Sequence, residues 1–131
     1  MAFTIGNQIV PGYSMPLGDK LLVVFDHTGP TSYTQLTAAT GLGGDIVSAN
    51  SGGLNLGGFD FVDDSVDTTG QIQMFPVMTQ AGAGNAAPQV TFMYYSLVTA
   101  TLGGQSQTAG AQVLAATNLS TFSWRCQAIC V

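Results

Sequence analysis

The residues with the greatest chemical potential are two cysteines, one histidine and a run of aspartates. Cys126 and Cys130 fall within the spacing of a zinc-binding pair. A closed zinc site needs a second ligand pair, and His27 is the only histidine. On an extended strand the two thiols share a face but stand about 13 Å apart, at about 3.3 Å per residue. That is too far for a disulfide unless the chain turns back. The pattern therefore points to packing. The stretch Asp60-Phe61-Val62-Asp63-Asp64-Ser65-Val66-Asp67 offers hard oxygen ligands of the kind calcium prefers. Its spacing is not that of an EF-hand loop, and no Glu closes it. Asp residues in turns commonly bond their own backbone, which is the reading taken here. Asp26-His27 resembles half of an acid–base pair, but no nucleophile-elbow pattern accompanies it. A lone His near a strand end is expected to be structural.

The remaining motifs are weaker. The glycine clusters at 41–44 and 52–58 contain no phosphate-loop Lys and precede no long helix, so they read as turns and bulges. Asn118-Leu119-Ser120 matches a glycosylation acceptor without a secretory context. Tyr33, Tyr94, Tyr95 and Trp124 are candidates for a sugar-stacking platform, with core packing the stronger reading. No catalytic residue, metal ligand or cofactor site is expected.

The elements that must position these residues are strands. Residues 20–27 form the first strong one, and 45–49 and 54–62 are shorter candidates, with Gly57-Gly58 marking a bulge. Along 70–78, Ile72, Met74 and Pro76 point one way and Gln71, Gln73 and Phe75 the other. Residues 89–101 form the longest candidate, with apolar side chains on both faces, and are expected to be covered on two sides. Along 121–129 the alternation is cleanest: Phe122, Trp124, Cys126 and Ala128 inward, Thr121, Ser123, Arg125 and Gln127 outward. A helical turn is allowed at 32–40, with Ser32 as N-cap. Residues 63–70 read as an acidic turn, 79–88 and 102–110 as soft loops, and 111–116 as a short strand. Residues 1–16, with Phe3, Ile5, Ile9, Val10 and Tyr13, are an edge strand or an extended arm. The expected fold is all-β: one domain spanning 1–131, a sandwich or barrel of jelly-roll type, with seven to eight short strands and Gly-rich loops.

Charge separates the functional classes better than any motif. The chain has two Lys or Arg residues and seven acidic ones, all Asp, for a net charge of −5. Soluble domains usually carry about a quarter of their residues as ions; here the share is 7%. Phosphate binding needs cations the chain lacks, so direct nucleic-acid contact and docking on anionic membranes are both disfavoured. No apolar run approaches about 18 residues, and the N-terminus lacks a basic start, so cytoplasmic synthesis with reduced cysteines is expected. A surface of Ser, Thr, Gln, Gly and apolar groups is easily dehydrated on contact. It suits a subunit that works packed against others.

Several stretches resemble the small virion proteins of tailed bacteriophages, in particular head decoration, or cement, proteins. The run Ala115-Ala116-Thr117-Asn118-Leu119-Ser120-Thr121-Phe122-Ser123-Trp124-Arg125-Cys126-Gln127-Ala128-Ile129 carries most of the likeness, as a closing strand with a polar lead-in. Residues 33–44, 54–62 and Gly70-Gln71-Ile72-Gln73 also fit, and Cys130-Val131 departs from the pattern. The resemblance implies a non-enzymatic, β-rich capsid-surface protein that binds the major capsid protein and copies of itself, as a homotrimer. Phe3, Ile5, Ile9, Val10 and Tyr13 are then candidate contacts of an N-terminal arm, and Arg125 a candidate ion-pair partner. The alternatives are a tail, neck or baseplate component, a carbohydrate-binding adhesin module and, least favoured, a small hydrolase.

Overall fold

The strand with the cleanest alternation in the sequence is the one around which the fold is built. The computed structural model describes residues 2–5, 8–11, 13–17, 20–35, 44–48, 59–79 and 89–130. In chain order the strands are β1 (Ala2–Ile5), β2 (Gln8–Pro11), β3 (Tyr13–Leu17), β4 (Lys20–Thr28), β5 (Asp45–Ser48) and β6 (Phe59–Val62). They continue with β7 (Ser65–Val66), β8 (Ile72–Thr79), β9 (Gln89–Ser96), β10 (Ala100–Leu102), β11 (Gln105–Gln107) and β12 (Ser123–Cys130). Two four-stranded antiparallel sheets form, ordered β3-β4-β12-β6 and β5-β9-β8-β7, with β1–β2 and β10–β11 as separate hairpins. The second order is a Greek key read backwards, since β7, β8 and β9 follow one another and β5 lies beside β9. The sheets do not close into a barrel. The chain is an all-β sandwich, and no helix occurs among the described residues.

Period-two alternation builds the shared core. From the first sheet come Val23, Phe25, Trp124, Cys126 and Ala128; from the second, Ile72, Met74, Val90, Phe92 and Tyr94. Each large apolar side chain sealed here stabilises the fold by about 1.5–3 kcal/mol. The Trp124 indole N–H donates across the sandwich to the Ile72 carbonyl at 3.1 Å, so the largest core residue also ties the sheets together. Pro76 sits in β8 beyond the short β7, whose pairing covers only Gln73 and Met74; its missing N–H costs no ladder bond on that open side.

Several expectations change, beginning with the acidic turn expected at 63–70, which contains the short strand β7. The strand expected over 89–101 ends at Ser96, where the Ser96 hydroxyl turns back to donate to the Val98 carbonyl at 2.5 Å. The loop expected at 102–110 contains the β10–β11 hairpin instead, turned by Gly103 and Gly104, both at positive φ. Gly103 is required twice over, because a Cβ there would lie 2.3 Å from the Asn118 carbonyl oxygen. The strand expected at 111–116 reduces to one isolated bridge, between Gln112 and Tyr95. Residues 31–35 form no helical turn; Tyr33 bonds the far loop instead, its N–H donating to the Thr117 carbonyl. Residues 36–43, 49–58 and 80–88, with the bulge expected at Gly57-Gly58, lie outside the described residues. Residues 1–16 contain the β1–β2 hairpin and most of β3, which lies beside β4 at the edge of the first sheet.

Candidate functional site

Two arrangements compete for functional attention, one inside the sandwich and one outside. Inside, the β4 alternation that buries Val23 and Phe25 also buries His27 completely. Its Nε2 lies 2.6 Å from Asp45 Oδ2 on β5 and 3.2 Å from the Tyr94 hydroxyl on β9. Tyr94 donates its only hydroxyl proton to the same Asp45 oxygen at 2.7 Å. A carboxylate only accepts, so the proton between His27 and Asp45 belongs to Nε2. Burial, reinforced by the Asp45 carboxylate, pushes the Tyr94 phenol well above its ordinary value, so Tyr94 remains a donor. The His27 ring packs on Phe92 with centroids 4.8 Å apart, and Nδ1 has no partner among the described residues. Sealed from solvent, the triad offers no base to a substrate. What it does is cross-link the sheets.

The other sequence candidates also take structural posts. Asp67 closes the turn before β8, accepting from the backbone N–H groups of Thr69, Gln71 and Ile72 and from the Thr69 hydroxyl. Burial of Asp67 works to raise its pKa, but those donors prevail and hold it below the ordinary carboxylate range. Its oxygens are thus occupied by donors rather than directed at a cation, and no metal-binding group of side chains occurs among the described residues. Asn118 Oδ1 accepts from both the N–H and the hydroxyl of Ser120. Burial, aided by Asp26, pushes the Cys126 thiol up to about 12, which leaves it protonated and unreactive. The Cys130 side chain lies outside the described residues. Tyr33, Tyr94 and Trp124 pack together in the core, Tyr33 edge-on to Tyr94 and Tyr94 tilted against Trp124 with centroids 5.3 and 4.6 Å apart, so three rings of the four-ring sugar platform are internal.

Arg125 and Asp26 stand directly opposite each other on the outer face of β12 and β4. The guanidinium donates to both Asp26 oxygens, at 2.7 and 2.8 Å, and Arg125 remains 65% exposed. At Phe3, Ile5, Ile9, Val10 and Tyr13 the backbone alone is described. The expected contacts of these side chains with a partner or with Arg125 therefore lie outside what the structure describes.

Outside, the second sheet differs. β9 is central within its sheet, but its outer face is not covered along its length, contrary to the sequence expectation. Thr91 is buried there, yet Met93 and Tyr95 are only half-buried, and Leu97 just beyond them is 44% exposed. On β8 the partner positions are Phe75, 38% exposed, and Val77. Phe75, Val77, Met93, Tyr95 and Leu97 line an open groove of about 550 Å³, completed by Gln73, Pro76, Ser96 and Gly110. Phe75 and Tyr95 meet edge to face at 5.4 Å. Among the described residues, no ionisable side chain other than Tyr95 lines it. The sequence did carry a signal for this face: on β8 the outward register changes from Gln71 and Gln73 to Phe75 and Val77, apolar residues at positions that alternation assigns to solvent.

In comparisons with known proteins, no family model matches the chain, no curated protein is similar to it, and no solved structure matches it.

Proposed function

We propose that the chain is a non-enzymatic structural subunit of a tailed-phage head, a decoration protein that binds the major capsid lattice as a homotrimer. The observation that carries this reading is the open apolar face of β8 and β9. A continuous apolar groove on the outside of a sandwich, rather than an apolar residue here and there, is a surface suited to a partner. The low charge of the whole chain supports the same reading, because contact strips few ions of water. So does the likeness of residues 115–129 to the closing strand of such proteins. A subunit that binds only the assembled lattice stabilises it by its binding free energy, and a trimer multiplies this by raising the effective concentration of neighbouring contacts. The sealed histidine and protonated Cys126 favour a role without chemistry.

The test is co-sedimentation of the recombinant chain with expanded and unexpanded heads, alongside its native mass. Saturable binding to expanded heads and a trimeric mass are expected. Failure to bind expanded heads, with binding to isolated tails instead, would transfer the chain to the tail, neck or baseplate.

A further inference from the structure

The groove has a sign of charge as well as an apolar floor. Gln73, at one end, donates from its amide to Asp64 Oδ2 at 3.0 Å, which holds an exposed carboxylate beside the opening. Val66, opposite Gln73 in the ladder, is 42% exposed and continues the apolar strip toward β7. The Ser96 hydroxyl is engaged by Val98. No Lys, Arg or His lines the groove among the described residues. Of the two cations in the chain, Lys20 begins β4 in the other sheet, and Arg125 is bound to Asp26 on that sheet's outer face. The formal charge shown to an incoming ligand at this end is therefore negative.

This restricts the occupant. A second copy docked groove to groove would set its own Asp64 carboxylate against this one, and like charges facing each other disfavour that contact at this face, leaving self-contacts elsewhere on the surface untouched. Nucleic acid and anionic lipid are disfavoured for the same reason. We propose that the groove receives an apolar side chain from a different protein chain, on a segment whose adjacent Lys or Arg pairs with Asp64. Burial in the groove supplies the affinity, and the Asp64 pair sets direction and register. The inference rests on the lattice-binding reading only for the partner's identity; the occupant's chemistry comes from the groove itself.

The experiment is an NMR titration of the full 15N-labelled chain with two synthetic peptides. Both carry Leu-Trp-Val at the centre; one ends in two Arg residues and its twin in two Asp residues. The expected result is saturable movement of the Gln73, Phe75, Met93, Tyr95 and Leu97 amide signals with the Arg peptide. The Asp twin should bind at least about threefold more weakly, the scale of one exposed ion pair. Asp64→Asn should bring the two affinities together, and Phe75→Ser should abolish binding while the remaining spectrum stays folded. Equal affinities in the unmodified chain, no shifts in the groove, or the same signals moving with protein concentration alone would each overturn the proposal. Head binding that persists without peptide binding would discard this occupant and keep the lattice reading. Peptide binding without head binding would do the reverse.

Discussion

The interior of this sandwich holds a histidine, a carboxylate and a phenol, while its outer β8–β9 face shows phenylalanine, leucine, methionine and valine. The contrast follows from where partners are found. His27 Nε2, Asp45 and Tyr94 supply one another's hydrogen bonds across the two sheets, which offsets the burial of those groups, though not of His27 Nδ1. Phe75, Met93, Tyr95 and Leu97 have neighbours beneath them and, among the described residues, remain partly open to solvent above. The first set completes itself within the chain; the second is the face we propose another molecule completes. The outer face of β4 and β12 lies between these cases, because its Arg125–Asp26 pair is closed within the chain yet still wet.

Substitutions should separate these regions by what they damage. The largest loss of stability is expected from Asp45→Ala, which strands His27 and Tyr94 in the core. Breaking a buried pair of this kind costs about 3–5 kcal/mol, visible as a lowered denaturant midpoint. Asp67→Ala comes next, at about 1–3 kcal/mol, because it leaves the buried Ile72 N–H and the part-buried N–H groups of Thr69 and Gln71 without their acceptor. Asp67 also gives a pH signature. Its folded pKa lies below its ordinary value of 3.8, so its contribution is complete above that value and is lost as pH falls through the folded one. The unmodified chain should therefore lose stability below about pH 4 more steeply than Asp67→Asn does, as thermal unfolding across pH would show.

Phe75→Ser should change stability by less than about 1 kcal/mol, the scale of one cross-strand aromatic pair, while removing partner binding. A large loss of stability would mean that the groove is part of the fold's own core. Smallest is Arg125→Ala, below about 0.5 kcal/mol for a solvent-screened surface pair. Head binding that fell with this substitution and survived Phe75→Ser would reverse the assignment of the two outer faces.

What the sequence revealed followed its local periodicity. Trp124, Cys126 and Ala128 point inward and Ser123, Arg125 and Gln127 outward, as alternation requires, and the same holds for Ile72, Met74, Gln73 and Phe75. The Gly103-Gly104 turn was legible in principle, since two glycines between short polar and apolar runs are a hairpin signal; the flanking strands are only three residues each, too short for periodicity to show. The triad was not legible. His27 lies 18 residues from Asp45 and 67 from Tyr94, and only the stacking of two sheets brings them together. The open face was misjudged for a different reason. Alternation assigns Met93, Tyr95 and Leu97 to one side of β9, but an apolar side is the same in sequence whether its cover comes from the chain or from a partner.

Electron cryomicroscopy of expanded heads incubated with the recombinant chain addresses the docking face most directly. The account predicts trimeric density at local three-fold positions, with Phe75, Tyr95 and Leu97 buried against the lattice. A bare lattice, or subunits bound with the β8–β9 face turned to solvent, would contradict it.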